Sequence, residues 1–214
     1  MKPLIVTGSD TGIGKTVVCA MLTLALEAIY WKPIQSGTEG GTDTQRVQAM
    51  TNLPPSHFLP ERYVLRQPLS PHRAAELDGI TIAPESLDLP QTTDNRWLIV
   101  EGAGGVLVPI DRQTLQIALF SRWQAPVLVV TRTALGTINH TLLTLEALRR
   151  RTIEVMGIIF VGDAMPDTER TIAEFGGVKN LGRLPILPAL DPDALRKAFN
   201  THFDRRDFEL AHAG

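Results

Sequence analysis

The sequence predicts an α/β fold in which helices cover both faces of a mostly parallel sheet. Two observations carry this. Short apolar runs alternate with helical patterns along the whole chain, the signature of strand–helix–strand units. Runs such as Val127-Leu128-Val129-Val130 show no polar alternation, which suits strands buried on both faces.

The elements follow in order. A first strand at 3–7 leads through a glycine-rich loop into a helix over 15–27. That helix reaches the next strand through Leu26-Glu27-Ala28 with no glycine or proline stop, so it must end near Ala25 in a very tight connection. A second strand at 29–33 closes on Lys32-Pro33, and a helix is expected at 42–50. Residues 51–94 are rich in proline and polar side chains and are read as loops and short helices over the active face. Strands at 97–101, 126–131, 155–161 and, more weakly, 180–184 then alternate with helices at 114–123, 137–150, 167–175 and 193–199. No repeat, charge block or low-complexity linker marks a boundary, so residues 1–214 are read as one domain.

Composition narrows the function. With 43% hydrophobic and 21% charged residues, a substantial core is available and wholesale disorder is excluded. A net charge of −2 gives no reason to invoke nucleic acid or an anionic membrane. The single cysteine, Cys19, has no internal partner, which fits a reducing compartment, and it reads as a small packing residue. No apolar stretch approaches the ~20 residues needed to cross a bilayer. The N-terminal apolar run is broken at once by Thr7 and Gly8, so no signal peptide is expected. A soluble cytoplasmic protein is the expectation.

The loop Gly8-Ser9-Asp10-Thr11-Gly12-Ile13-Gly14-Lys15-Thr16, set between strand and helix, has the chemistry of a phosphate-binding P-loop. Glycines let backbone N–H groups turn toward phosphate oxygens, and the helix N-terminus adds its dipole. Lys15 can reach the β- and γ-phosphates, and the Thr16 hydroxyl can ligate Mg²⁺. Five residues rather than four separate Gly8 from Gly14, so the strict pattern fails unless Ser9 replaces its first glycine.

Three acidic or basic residues belong with this loop. The apolar strand Trp97-Leu98-Ile99-Val100 ends in Glu101, at the sheet edge where α/β proteins hold ligands. Gly102-Ala103-Gly104-Gly105 then allows close backbone approach. Lys32 ends its strand in the same way. Asp43 follows in a polar loop and is a candidate second acidic metal partner.

At this point the chain resembles the ATP-dependent dethiobiotin synthetases of biotin biosynthesis. Residues 7–16 resemble that family's extended P-loop, five-residue spacing included. Lys32-Pro33-Ile34-Gln35-Ser36-Gly37 resembles its Lys-Pro-x-x-Ser-Gly segment, and Ser70-Pro71-His72 its Ser-Pro-His turn. Glu101-Gly102-Ala103-Gly104-Gly105 reproduces Glu-Gly-Ala-Gly-Gly, Leu135-Gly136-Thr137-Ile138-Asn139-His140 resembles Leu-Gly-x-Ile-Asn-His, and residues 181–185 match its Leu-Gly-x-x-Pro turn. Motifs in this order span nearly the whole chain.

The resemblance implies a P-loop NTPase-like fold and a Mg²⁺-dependent cyclising ligase. One amine of 7,8-diaminononanoate captures CO₂ as a carbamate, ATP phosphorylates it, and the second amine closes the cyclic urea, leaving ADP and phosphate. By family position Lys15, Lys32 and Thr11 are catalytic, with Thr11, Lys32 and Ser36 on the substrate. Thr16, Asp43 and Glu101 would hold Mg²⁺. The nucleotide seat would comprise Gly12, Ile13, Gly14, Lys15, Thr16 and Val17, with Asp43, Glu101, Gly102, Ala103 and Gly104. Gly162, Asp163, Pro185, Ile186 and Leu187 would surround the base. Gly136, Thr137, Ile138 and Asn139 would bind the substrate's remote carboxylate, donated across the interface of a homodimer. The family often has Asn-Asp where this chain has Gly162-Asp163, which removes the side chain that reads the base.

Two alternatives are weighed. One is a related P-loop amidoligase or acyltransferase module, whose relatives carry a second catalytic domain that 214 residues do not accommodate. The other is a nucleotide-binding switch, which would not need Lys32, Ser36 and Glu101 together. ATPases that partition DNA or position division sites carry a lysine where this chain has Asp10, which argues against them. His72, His140, the three tryptophans and Arg149-Arg150-Arg151 are read as structural.

Overall fold

The computed structural model describes residues 1–91 and 94–209, and all structural statements refer to these. The chain runs β1 (Lys2–Gly8), α1 (Lys15–Ala25), β2 (Ile29–Trp31), β3 (Ile34–Ser36), α2 (Asp43–Thr51), β4 (Tyr63–Leu65) and α3 (Pro71–Asp78). It continues through β5 (Trp97–Gly105), α4 (Gln116–Trp123), β6 (Val127–Arg132), α5 (Thr137–Arg149) and β7 (Val155–Val161). The last elements are α6 (Pro166–Gly176), β8 (Asn180–Leu184), α7 (Pro192–His202) and α8 (Arg206–Glu209).

Six strands form a parallel sheet in the order β2-β5-β1-β6-β7-β8. The predicted α/β class is therefore observed. Period-two alternation assigns each side chain to a face. Leu4, Val6, Ile99, Leu128, Val130 and Ile159 pack with α1, α2 and α7. Ile5, Leu98, Val100, Val127, Val129, Ile158 and Phe160 pack with residues of α3, α4, α5 and α6. Burial on both faces explains why the strands read as unbroken apolar runs. β1 lies between β5 and β6, strands that come later in the chain, so its carboxyl end opens onto a switch point where such sheets bind ligands.

Three expectations need correction. The strand expected at 29–33 splits into β2 and β3. Pro33 has no N–H to offer a ladder, and its carbonyl instead accepts from Arg62 N at 2.8 Å and Tyr63 N at 3.1 Å, which starts the parallel β3–β4 pair. Residues 51–94 accordingly contain a strand as well as helix α3, not only loops and short helices. Finally, β5 does not stop at Glu101 but carries the glycine cluster to Gly105.

The tight end of α1 is made by a residue ill suited to it. Glu27 adopts φ 50°, while Ala28 N bonds Thr23 O at 2.9 Å and Glu27 N reaches Leu24 O at 3.5 Å. This is the paired-bond helix stop normally given to glycine. Burial of Ala28, Ile29 and Tyr30 immediately afterwards holds the turn in place. No helix is long and apolar enough to cross a membrane among the described residues.

Candidate active site

Glu101 is 1% exposed, and a carboxylate so buried must be compensated. Three side chains from two stretches of chain do this. Thr16, in the first turn of α1, donates its hydroxyl to Glu101 Oε1 at 2.9 Å. Lys32, just beyond β2, donates Nζ to the same oxygen at 2.9 Å. Tyr30, on β2, donates its hydroxyl to Oε2, also at 2.9 Å. Register makes this possible, because Glu101 lies level with Val6, two residues before the P-loop begins.

Lys32 also touches Asp43 Oδ2 at 2.5 Å. Asp43 is delivered to it by Gln35, whose Oε1 accepts from Asp43 N at 3.0 Å while its Nε2 donates to Gly37 O at 2.8 Å. Burial alone would push the Lys32 ammonium down, but Glu101 and Asp43 overcome it and hold the pKa above its ordinary value. Tyr30 is raised well above its usual range, first by burial and then by Glu101. Burial and Glu101 likewise raise the Cys19 thiol, so Cys19 is a protonated packing residue.

Lys15 differs from Lys32. It is 7% exposed, and the contact its ammonium makes is to the carbonyl of Asp10 at 2.7 Å. Burial lowers its pKa to about 8, against the pull of Glu101 and with Lys32 adding to the depression. This is a cation held without a carboxylate of its own, which suits an incoming phosphate. The loop around it is drawn tight. Gly14 sits at φ 96°, where a Cβ would come 2.9 Å from Val161 Cγ1.

The donor set fits a magnesium ion. Thr16 Oγ1 and the Asp43 and Glu101 carboxylates are hard oxygen ligands, and positive charge between the two carboxylates is already demanded, since the Lys32 ammonium bridges them. No cluster of three or more His, Cys, Asp or Glu occurs among the described residues.

Beside the loop lies a mostly apolar cleft of about 320 Å³. It is lined by Gly12, Ile13, Gly14 and Val17 from the loop and α1, by Val161, and by Leu184, Pro185, Ile186 and Leu187. Gly12, Ile13, Gly14 and Val17 of the predicted loop side thus share one cavity with Pro185, Ile186 and Leu187 of the predicted base side, and Gly162 and Asp163 do not line it. Asp163 is exposed. Gly162 sits at φ 125°, where any side chain is strained, and a Cβ there would come 2.8 Å from Thr133 Oγ1, so an asparagine would need this turn or Thr133 to shift. Its carbonyl accepts from Arg183 Nη1 at 2.9 Å.

The remaining predicted residues fall around this centre. Thr11 Oγ1 lies 3.2 Å from where a Cβ on Gly104 would be, so Thr11 covers the β5 glycine segment. Ser36 Oγ is buried with no hydrogen-bond partner among the described residues, a donor left for a ligand. Gly136, at φ 91°, opens α5, presenting Ile138 and Asn139 to solvent while Thr137 turns inward. His72 bonds Ser70 Oγ through Nδ1 at 3.0 Å, as a turn residue should. Trp31 and Trp123 pack together with centroids 6.2 Å apart.

Three residues escaped the sequence reading. Tyr30 looked like core because its ring is core. Gln35 is hidden in the Lys-Pro-x-x-Ser-Gly segment. Gln116 is 3% exposed and braces the glycine segment, accepting from Ala103 N at 2.6 Å and donating to Gly105 O at 3.1 Å. A glutamine on the apolar face of a helix was the available signal for it.

A phosphate loop, a buried carboxylate level with it on the neighbouring strand and an adjoining apolar cleft define a P-loop nucleotide-binding protein. A family model described as "AAA domain" matches residues 2–194. The chain is 53% identical over 205 residues to an ATP-dependent dethiobiotin synthetase BioD of Rhodopseudomonas palustris, covering 96% of this chain and 97% of the relative. The relative of the same name from Novosphingobium aromaticivorans is 52% identical over 97% of this chain and 100% of its own. One from Brucella anthropi is 53% identical over 95% of both. The chain belongs to the ATP-dependent dethiobiotin synthetase family, within the AAA-domain group whose model it matches. Among solved structures, the septum site-determining protein MinD complexed with Mg-ADP from Pyrococcus horikoshii superposes with a TM-score of 0.52 at 12% identity, covering 92% of this chain and 86% of that one. The Aquifex aeolicus MinC:MinD cell division complex gives 0.52 at 13%, with the same coverage. At that identity the likeness concerns the fold alone.

Proposed function

We propose that the chain catalyses ATP-dependent closure of 7,8-diaminononanoate and CO₂ to dethiobiotin, a step of biotin biosynthesis. The observation that carries this is the meeting of Lys15, Lys32, Thr16, Asp43 and Glu101 at the carboxyl edge of the sheet, beside a nucleoside-sized cleft.

The chemistry follows from charge. The carbamate and the γ-phosphate are both anions, so their approach needs cations fixed in advance. Lys15 takes the β- and γ-phosphates, for which its unpaired ammonium is suited. Lys32 neutralises the carbamate and the transferring phosphoryl group. Thr11 and Ser36 orient substrate oxygens by hydrogen bonds. Thr16, Asp43 and Glu101 would hold Mg²⁺, which when bound supplies charge neutralisation at the phosphates. The carbamate oxygen attacks the γ-phosphorus with ADP leaving. The second amine then attacks the carbamoyl carbon, phosphate departs, and the amine proton is released. Gly12 to Val17 and Gly102 to Gly104 supply the close backbone surface, and Pro185 to Leu187 flank the base. ADP release that requires both the diamine and bicarbonate supports the assignment; ADP release indifferent to both would return the protein to the nucleotide-switch class.

In this reading the substrate's remote carboxylate binds at the N-terminus of α5, where the helix dipole suits an anion. In this reading that helix end comes from a second copy, so the enzyme is a homodimer. Leu135, fully exposed just before α5, and Leu143, half exposed on it, support a covered surface there. Ultracentrifugation should find a dimer at assay concentration, and a fully active monomer would defeat the idea.

Base selectivity is expected to be weak. Asparagine can present an acceptor and donors to the adenine edge, and Gly162 has no side chain to do so. ATP should be used, with CTP, GTP or UTP within roughly tenfold in kcat/KM, about 1.4 kcal/mol. A preference for ATP beyond a hundredfold would show that another group reads the base.

A further inference from the structure

Behind the P-loop, one buried hydroxyl gathers three others. Thr131, near the end of β6, is fully buried. Its Oγ1 lies 2.8 Å from Ser9 Oγ, 2.6 Å from Thr137 Oγ1 and 2.8 Å from Thr141 Oγ1. A hydroxyl has one proton and two lone pairs, so three partners saturate it. Ser9 belongs to the P-loop, whereas Thr137 and Thr141 stand one turn apart at the start of α5.

The neighbouring residue grips the same stretch of loop from the front. Arg132 Nη2 donates to the Thr11 carbonyl at 3.4 Å and lies 3.8 Å from Asp10 Oδ2. His140 Nδ1 stands 4.0 Å from that same carboxylate oxygen. Residues 9–11, which end in Thr11, are thereby held to β6 and α5 by side chains on two sides, and Ser9 N adds a backbone bond to Val130 O at 3.0 Å.

We propose that Thr131 is a positioning residue that couples the two ligand seats. Its hydroxyl locks the front of the P-loop to the first turn of α5, so that filling the nucleotide seat tightens the seat of the substrate carboxylate. This rests on the function proposed above, whichever pocket of the dimer the helix end completes. A merely structural hydroxyl would affect folding and both ligands alike. A coupling hydroxyl affects the dependence of one ligand on the other, which by linkage is the same in both directions.

The test is calorimetric titration of the full chain with the diamine, with and without a Mg²⁺-bound non-hydrolysable ATP analogue. In the wild type the analogue should tighten the diamine about tenfold, within the usual range of such coupling. Thr131→Val keeps the shape and removes the hydroxyl, and the ratio should fall to within about twofold, while Thr131→Ser restores at least about fivefold. Ser9→Ala severs only the loop arm and should also lose the ratio, which keeps the test valid if the valine variant does not fold. A wild-type ratio of one, or a wild-type ratio retained in Thr131→Val or Ser9→Ala, overturns the proposal. Failure of the underlying function is separately visible, because the wild type would then not turn over the diamine.

Discussion

Lys32→Ala is expected to lose at least ~100-fold in kcat/KM, the scale for removing a preorganised charge at a reacting centre. It should keep nucleotide better than Lys15→Ala does, since Lys32 faces the carboxylates rather than the phosphate loop. The structural consequence is as distinctive. Lys32 bridges Asp43 at 2.5 Å and the buried Glu101 at 2.9 Å, so alanine removes the cation between the two carboxylates and leaves Asp43 only its partly exposed pair with Arg46 at 3.1 Å. Breaking a buried pair from one side costs about 3–5 kcal/mol. Melting in metal-free buffer should register that loss, and Mg²⁺ should restore more stability to Lys32→Ala than to the wild type, because it can re-supply the missing charge. Near wild-type turnover would remove Lys32 from the catalytic set, and melts indifferent to Mg²⁺ would remove Asp43 and Glu101 as its ligands.

Lys15 should behave in the opposite sense for stability. Lys15→Ala is likewise expected to lose at least ~100-fold in kcat/KM, with nucleotide binding lost as well. Yet the folded protein holds Lys15 at a pKa of about 8 against an ordinary 10.5, so below pH 8 its charge is a burden on folding. Between these two values the unfolded chain keeps a proton that the folded chain has released, so wild-type stability rises with pH across that window. Lys15→Met, which keeps the length without the charge, should therefore be more stable than wild type at pH 7 without nucleotide, by on the order of 1–3 kcal/mol. The gap should close as pH rises from about 8 toward 10.5. Urea melts across that range decide it; a less stable Lys15→Met at pH 7 would show that the ammonium is well accommodated in the empty loop.

Much of the candidate site was legible because its residues sit where an apolar run stops on a charge. Lys32 and Glu101 announce themselves in this way, and Lys15-Thr16 by the glycines before them. Asp43 was harder, since it opens a polar helix and reaches Lys32 only through Gln35, a contact across eight residues that local pattern does not contain. Tyr30 and Thr131 were hidden for a different reason. Each is apolar or small enough to pass as core, and only the fold reveals which buried hydroxyl meets a carboxylate and which meets three others. The β3–β4 pair was missed because its strands are three residues long, too short for periodicity, and pair only through a turn of chain that Pro33 starts. The stop of α1 at Glu27 follows from burial of the residues after it, not from the propensity of glutamate. At Gly162 the sequence shows a missing side chain, whereas the positive φ and the Thr133 hydroxyl beside it belong to the three-dimensional fold.

The central claim is that these residues join carbon from CO₂ to both amines of one substrate at the expense of ATP. The most direct measurement follows isotope-labelled bicarbonate in the presence of 7,8-diaminononanoate, Mg²⁺ and ATP. Label is expected in the ureido carbon of dethiobiotin, with one ADP and one phosphate per ring closed, and no product from Lys32→Ala within the same time. ATP hydrolysis without labelled cyclic urea would contradict it.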